Sequence, residues 1–375
     1  IRVDFSSTFG FDQVNKYPEV QNTFTQGYKG VYDPISFWPS WGPSIADAQK
    51  IDPSHPSTIL NNFKNAYETG NQFKNYLSFG GGNDKTTFNF SIANLNQNGV
   101  LPESSYKNTS IRLSGDQLLS DKLKIGAAIN YIKSGGDRVN SDRFNEQLIY
   151  WAPRVDVTDY VKDDGTMKTY GETDNPIYGV HSNRFKDDVN RFIGNLNFTY
   201  SPLKWFDVNY RVGMDYFTDF RKGYGPAPAG LPDEIPFSDN ELGFYNEYNI
   251  QSRDLTSTLN LTFKKDFGTD ITTSLRVGND IYQKKYDQLS TEGSELDIYN
   301  LFSMNNVRLL KSSQNSLEER LVGLYGDISF AYKNFLFLNV TGRNDWTSTL
   351  PEGNNSFFYP SVSLGYVFSD QFTLP

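Results

Sequence analysis

Apolar and polar residues alternate at every second position along much of this chain, and the pattern is cleanest between 321 and 368. Leu324, Ile328, Phe330 and Tyr332 fall on one parity there, with Gly323, Tyr325, Asp327 and Ser329 on the other. Lys333-Asn334 is a break with turn chemistry. Beyond it, Leu336, Leu338, Val340 and Trp346 alternate with Asn339, Thr341, Arg343 and Asp345. After a polar loop, Val362, Leu364, Tyr366 and Phe368 alternate with Ser361, Ser363 and Gly365. A period of two sends successive side chains to opposite faces of a strand. This stretch therefore predicts three antiparallel strands with one apolar face and one polar face.

The pattern recurs along the whole chain. It is seen at Ile1, Val3 and Phe5, at Phe88, Phe90 and Ile92, at Ile125, Ile129 and Tyr131, and from Phe206 through Val212 to Tyr216. About twelve strands result, each expected to hold roughly the 9–11 residues that cross a bilayer at a tilt. Their connections alternate between short turns (near 80–84, 119–122, 201–202 and 264–269) and long loops (12–70, 133–190, 218–249 and 283–316). That alternation gathers the short turns at one end of the sheet. The parity rich in Leu, Val, Ile and Phe carries no Asp, Glu, Lys or Arg, where a basic residue would cost about 2–4 kcal/mol at mid-bilayer. A soluble sheet with one face on a core alternates in the same way. It would need a second layer to cover so wide an apolar face, and its strands would be nearer five or six residues. The expected fold is all-β, a transmembrane antiparallel β-barrel with long extracellular loops.

Composition narrows the function. Hydrophobic residues make up 37% of the 375 positions and aromatics 15%, with 30 glycines. That mix suits strands and turns, and no apolar run is long enough for a membrane helix. The net charge of −9 argues against a nucleic-acid partner, which needs clustered Lys and Arg. Without cysteine there is neither a disulfide framework nor a thiolate site.

Candidate chemistry is sparse. Arg211 and Asp215, Arg276 and Asp280, and Arg343 with Asp345 recur on rising strands as near copies. Residues two or four apart share a face, so these six are expected to line the lumen. They act there either as a charged wall for a polar solute or as an ion-pair ladder that holds register. Trp38, Trp41, Tyr150 and Trp151 lie in long loops. They could stack on sugars, dock a partner protein or pack the loops themselves. Trp205 and Phe206 read as an inner aromatic girdle. His55 and His181 lack the spacing of a metal site. Asp163-Asp164-Gly165 reads as a turn rather than a Ca²⁺ loop. Gly80-Gly81-Gly82-Asn83-Asp84-Lys85-Thr86 lacks the Gly before Lys that a phosphate loop needs, and a strand follows it. No nucleophile–base set or metal set is visible, so neither catalysis nor a cofactor is expected.

Three motifs carry a family resemblance. Thr341-Gly342-Arg343-Asn344-Asp345-Trp346, with Leu350-Pro351-Glu352-Gly353-Asn354-Asn355-Ser356 and Phe358-Tyr359-Pro360-Ser361 after it, resembles the SusC-like (SusC/RagA) TonB-dependent outer-membrane transporters. Ser78-Phe79-Gly80-Gly81-Gly82-Asn83-Asp84 followed by Leu95-Asn96-Gln97-Asn98-Gly99, and Tyr200-Ser201-Pro202-Leu203-Lys204-Trp205, are similar to earlier hairpins of that family and keep its order. The resemblance implies a bacterial outer-membrane importer of a bulky polar nutrient, an oligosaccharide or peptide. It also implies a barrel of roughly 22 strands, a SusD-like surface lipoprotein and the TonB system as partners, and membrane lipid around the wall. On that reading, residues 1–375 form about half of the barrel, its central portion, with the plug domain, TonB box and C-terminal strands outside this chain. The alternative is a surface β protein for adhesion or scaffolding that moves nothing.

Overall fold

A computed structural model describes residues 1–163, 167–168, 173–226, 242–333 and 335–370. Asp164, Gly165 and Asn334, named above in turns, lie outside these. The alternating segments all pair into one antiparallel sheet of 12 strands in sequence order. They are β1 (Arg2–Asp12), β4 (Gly70–Gly82), β5 (Thr86–Asn98), β6 (Ser105–Ser120), β7 (Leu123–Asp137) and β8 (Arg184–Leu203). The sheet continues with β9 (Phe206–Gly225), β10 (Phe244–Phe267), β11 (Ile271–Leu296), β12 (Val307–Tyr332), β13 (Leu336–Thr347) and β14 (Ser356–Tyr366). A small ribbon of β2 (Gly27–Tyr28) and β3 (Val31–Tyr32) sits in the first long loop. Among the described residues four α-helices lie in the two longest loops: α1 (Ile45–Ile51), α2 (Asn62–Ala66), α3 (Ser141–Tyr150) and α4 (Pro176–Ser182).

Register sorts the two faces. Phe90, Leu113, Ile129, Gly194, Met214 and Leu255 are successive cross-strand partners on one face. The neighbouring row, Asn89, Ser114, Ala128, Asn195, Gly213 and Thr256, lies on the other. Among the described residues the apolar face meets no protein layer. Leu113, Ile129, Leu196, Leu324, Ile328 and Leu338 are all exposed, and Val208 is only half-buried. The buried apolar core lies mostly in the outer loops, around Phe63, Phe144, Leu148 and Trp151. A sheet with its apolar side open and its polar side turned inward is stable only against hydrocarbon.

The short turns are built by local chemistry. Asn83 Oδ1 accepts from the backbone N–H of Lys85 (2.9 Å) and Thr86 (2.8 Å), an Asx turn that closes β4 onto β5. Gly268 and Lys333 take left-handed φ values of +66° and +46° where β10–β11 and β12–β13 reverse.

Two expectations need correction. The strands are not confined to bilayer-spanning length: β10 has 24 residues, and β11 and β12 have 26 each. Much of what reads as loop at 218–249 and 283–316 is strand that continues past the apolar band. Once the chain leaves hydrocarbon both faces become polar, so period-two hydrophobicity fades while backbone pairing persists. The loops at 12–70 and 133–190, in turn, carry helices that strand periodicity does not reveal.

The two faces should answer differently to the same charge. Ile328→Arg, on the outward face, is expected to destabilise the folded protein by about 2–4 kcal/mol. Ser329→Arg, one residue on and facing inward, should stay within about 1 kcal/mol. Urea titrations of refolding into phosphatidylcholine bilayers give both numbers. Equal losses for the pair would mean that the apolar face is not against lipid.

Candidate functional site

The inward face carries the charged residues singled out from the sequence, and register decides which of them meet. Asp280, Gly323 and Asp345 are direct partners across β11, β12 and β13, and Gly278, Tyr325 and Arg343 form the same kind of row two positions along. Arg343 reaches back over Gly323. Its Nη1 donates to Asp280 Oδ2 at 2.7 Å and its Nε to Asp345 Oδ1 at 2.8 Å. Its guanidinium lies 5.3 Å from the centre of the Tyr325 ring. Tyr325 in turn lies over Gly278, where a Cβ would land in its ring, and its hydroxyl donates to Asn260 Oδ1 at 2.7 Å. The absence of side chains at Gly278 and Gly323 lets these large groups lie flat along the wall.

The other two charged pairs do not close within their own strands. Asp215 is held by both ends of the Arg191 fork from β8, with Nε at 2.8 Å from Oδ1. Arg211 donates to Asn197 Oδ1 at 2.7 Å, and Arg276 reaches Asp327 at 3.5 Å. Four residues along a strand span about 13 Å, whereas a residue directly opposite is about 5 Å away, so each charge pairs across the sheet. Arg191, Asn197 and Asp327 are the partners that spacing within one strand cannot find. Asp254, also missed, sits directly opposite Asp215 and accepts from the Tyr282 hydroxyl at 3.1 Å. The inner wall is a wet ladder of paired charge and amide.

Above the wall, the two longest loops share one core. Phe63 and Ala66 from α2 pack with Phe144, Leu148 and Trp151 around α3, and with Ile177 and Val180 of α4. Asparagines tie the irregular chain between them. Asn62 Nδ2 donates to Val155 O at 2.9 Å while its Oδ1 accepts from Val157 N at 3.1 Å. Asn175 caps α4 by accepting from Ile177 N at 2.9 Å, and its amide donates to Val157 O at 2.8 Å. Both asparagines are buried with their hydrogen bonds satisfied, the arrangement such a site requires.

The four loop aromatics divide accordingly. Trp151 is 2% exposed and donates its indole N–H to Val155 O at 3.1 Å, so it is a core residue with no face left for a ligand. Tyr150 stacks on Phe37 with ring centres 4.2 Å apart, joining the first long loop to the second. Trp38 stacks on Tyr28 at 6.3 Å and meets Phe37 edge-on. Trp41 stands 64% exposed beside them. Tyr28, Phe37, Trp38 and Tyr150 thus form one aromatic platform, two members of which strand periodicity does not single out. Both histidines are structural. His55 is buried, with Nε2 2.7 Å from Thr25 Oγ1, and His181 stacks on Tyr160 with Nδ1 3.0 Å from Glu103. Trp205 stacks with Phe263 beside Phe206 at the short-turn end.

Between α3, α4 and the outer ends of β8 to β10 lies a cavity of about 520 Å³, lined by Arg138, Arg143, Asp174, Tyr178, Asn246 and Tyr248 among others. Asp174 is buried, its Oδ1 has no hydrogen-bond donor among the described residues, and Arg143 stands 3.9 Å from its other oxygen. Burial pushes its carboxyl above the usual carboxylate range against the opposing pull of Arg143.

Comparison with known proteins supplies the wider context. No protein-family model matches the chain. TonB-dependent receptor P26 of Formosa agariphila is 23% identical over 85% of this chain. TonB-dependent receptor P3 of the same organism is 24% identical over 80%. The chain spans only 32% and 30% of their respective lengths. Among solved structures, the RagAB peptide transporter superposes with a TM-score of 0.76 at 15% identity, covering 99% of this chain and 45% of that one. The outer-membrane transporter YddB of Escherichia coli superposes with a TM-score of 0.51 at 13% identity, covering 84% and 40%. The fold is that of the TonB-dependent outer-membrane barrels, and the SusC-like resemblance of the sequence agrees with it.

The close packing over Gly323 and the shared loop core each give a direct test. A Cβ at position 323 would land on Arg343 Nη2 and 2.6 Å from Asp345 Oδ1. Gly323→Ala is therefore expected to cost about 1–3 kcal/mol, read as a lower thermal midpoint in detergent. Trp151→Ala should cost the loop core about 3–5 kcal/mol. Protease should then cut both loops while the barrel keeps its heat-modifiable migration. Asp174 sets a pH dependence. Its folded pKa is raised, so the loop core loses stability as pH rises through that value and gains it as the carboxyl protonates on acidification. Asp174→Asn should remove that dependence and slow proteolysis of the loops at pH 7.

Proposed function

We propose that this chain, which has the barrel fold of the TonB-dependent transporters of the bacterial outer membrane, forms about half the wall of an energised importer. Its 12 strands compare with roughly 22 in such barrels. The cargo is a bulky polar nutrient, an oligosaccharide or a peptide. One observation carries the reading: a wide sheet whose apolar face is uncovered and whose opposite face is a continuous ladder of amides and paired charges. Among the described residues β1 and β14 each pair along one side only, and backbone groups left open in hydrocarbon cost several kcal/mol each. Further strands of the full-length protein would close the barrel.

Passage through such a lumen makes and breaks no covalent bonds. A plug supplied elsewhere in the full-length protein would gate it, the TonB system would open it, and the polar wall would keep the path wet. The loop platform would form the outer vestibule and the seat for a SusD-like surface lipoprotein. The shared core of α2, α3 and α4 packs the two longest loops together rather than leaving them as separate tethers. The RagAB structure is that of a peptide transporter. It supports a large organic cargo for this chain and leaves the choice of oligosaccharide or peptide to experiment.

Deletion of residues 13–69 from the full-length protein is expected to abolish uptake of the cognate nutrient and capture of the lipoprotein. Barrel assembly, followed by heat-modifiable migration, should be spared. Uptake at the wild-type rate by the deletion strain would remove the vestibule assignment and favour a non-transporting surface role.

A further inference from the structure

The outward face has a second pattern above its apolar band. Followed from the apolar band toward the loops, the first charged side chain on that face is Lys107 on β6, Lys133 on β7 and Lys222 on β9. It is Arg253 on β10, Lys285 on β11 and Arg320 on β12. On β8 it is an acid, Asp188, which pairs with Lys133. Composition does not account for this bias, because the chain holds 44 acidic residues against 35 basic ones. The charges at the other end of the band are mixed, with Asp84 and Asp121 in turns there beside Lys204 and Lys265.

Three of these cations adjoin one another. Arg253 and Lys285 are direct cross-strand partners, and Arg320 opposite Gln283 is the diagonal neighbour of Lys285. Like charges directly opposite in a sheet repel. Two acids compensate for three cations: Lys285 lies 3.8 Å from Asp287, and Glu318, its direct partner on β12, lies 3.4 Å from Arg320. Arg253 is exposed and has no carboxylate partner among the described residues. Height fits as well. Arg253 lies about ten residues above Phe263 of the inner aromatic girdle, or roughly 33 Å along the strand and about 25 Å in height at the usual tilt. That is the thickness of the apolar band, so the triad emerges where lipid headgroups begin.

We propose that Arg253, Lys285 and Arg320 form a binding site on the outer wall for the phosphate groups of outer-leaflet lipid. Bound phosphate relieves the repulsion between opposed cations and holds the long β10–β12 ribbons against the membrane surface. The site is on the lipid side and takes no part in passage through the lumen, so its test is independent of the cargo.

The test uses full-length protein in detergent with a purified diphosphorylated lipid A, its enzymatically dephosphorylated form, or inorganic phosphate. Binding is read by native mass spectrometry and by thermal shift. The phosphorylated lipid should bind and raise the melting temperature, with the effect falling as salt is added. Arg253→Gln/Lys285→Gln/Arg320→Gln should bind it about a hundredfold more weakly while keeping heat-modifiable migration, given roughly fivefold per cation at a membrane surface. Glu318→Gln, which unmasks Arg320, should bind more tightly. Equal binding of the dephosphorylated lipid, an unchanged affinity in the triple variant, or an equal shift from inorganic phosphate would each overturn the proposal.

Discussion

Hydrocarbon imposes one demand from which the rest of this structure follows: every backbone donor and acceptor within it must find a partner in the protein. Between β1 and β14, the described strands meet that demand by pairing each with the next, in sequence order and without crossovers. Side chains then have only two places to go. Those facing lipid are Leu, Val, Ile and Phe, because burial of a charge there costs more than most single interactions return. Those facing inward are free to be polar, and they become the wall of a wet passage.

Pairing between strands does more than close the backbone. It sets which side chains stand opposite one another, and so converts recurring Arg and Asp residues into the ladder Arg191–Asp215, Arg276–Asp327 and Asp280–Arg343–Asp345. Glycine is part of that ladder. At 278 and 323 the lack of a side chain makes room for a tyrosine ring and an arginine fork lying along the sheet. These ion pairs are partly exposed and individually weak, yet a one-residue slip in register would turn them into the bilayer.

Outside the membrane the organising force changes. The long loops are held by an ordinary hydrophobic core, in which Trp151 and Phe144 are almost fully buried and Asn62 and Asn175 satisfy the irregular backbone. The barrel thus carries a small globular cap, built by the rules of soluble proteins, on a wall built by those of lipid. Where the two regimes meet, basic side chains cluster on the outward face and aromatic ones on the platform.

The barrel wall was legible from residue order alone, because the exclusion of charge from one parity is a local signature of lipid that needs no knowledge of neighbours. Strand number, their pairing in chain order, the gathering of short turns at one end and the one face shared by Arg211, Asp215, Arg276, Asp280, Arg343 and Asp345 all follow from that period. Partners were not legible. Arg191 and Asp215 are joined by register, and register is set by turn length and by shear accumulated across many strands. Nor could Trp151 be told from Trp41, since one is buried by helices from two distant loops and the other is not. Alternation records which solvent each side chain faces, while the contacts between side chains exist only once the strands are laid side by side.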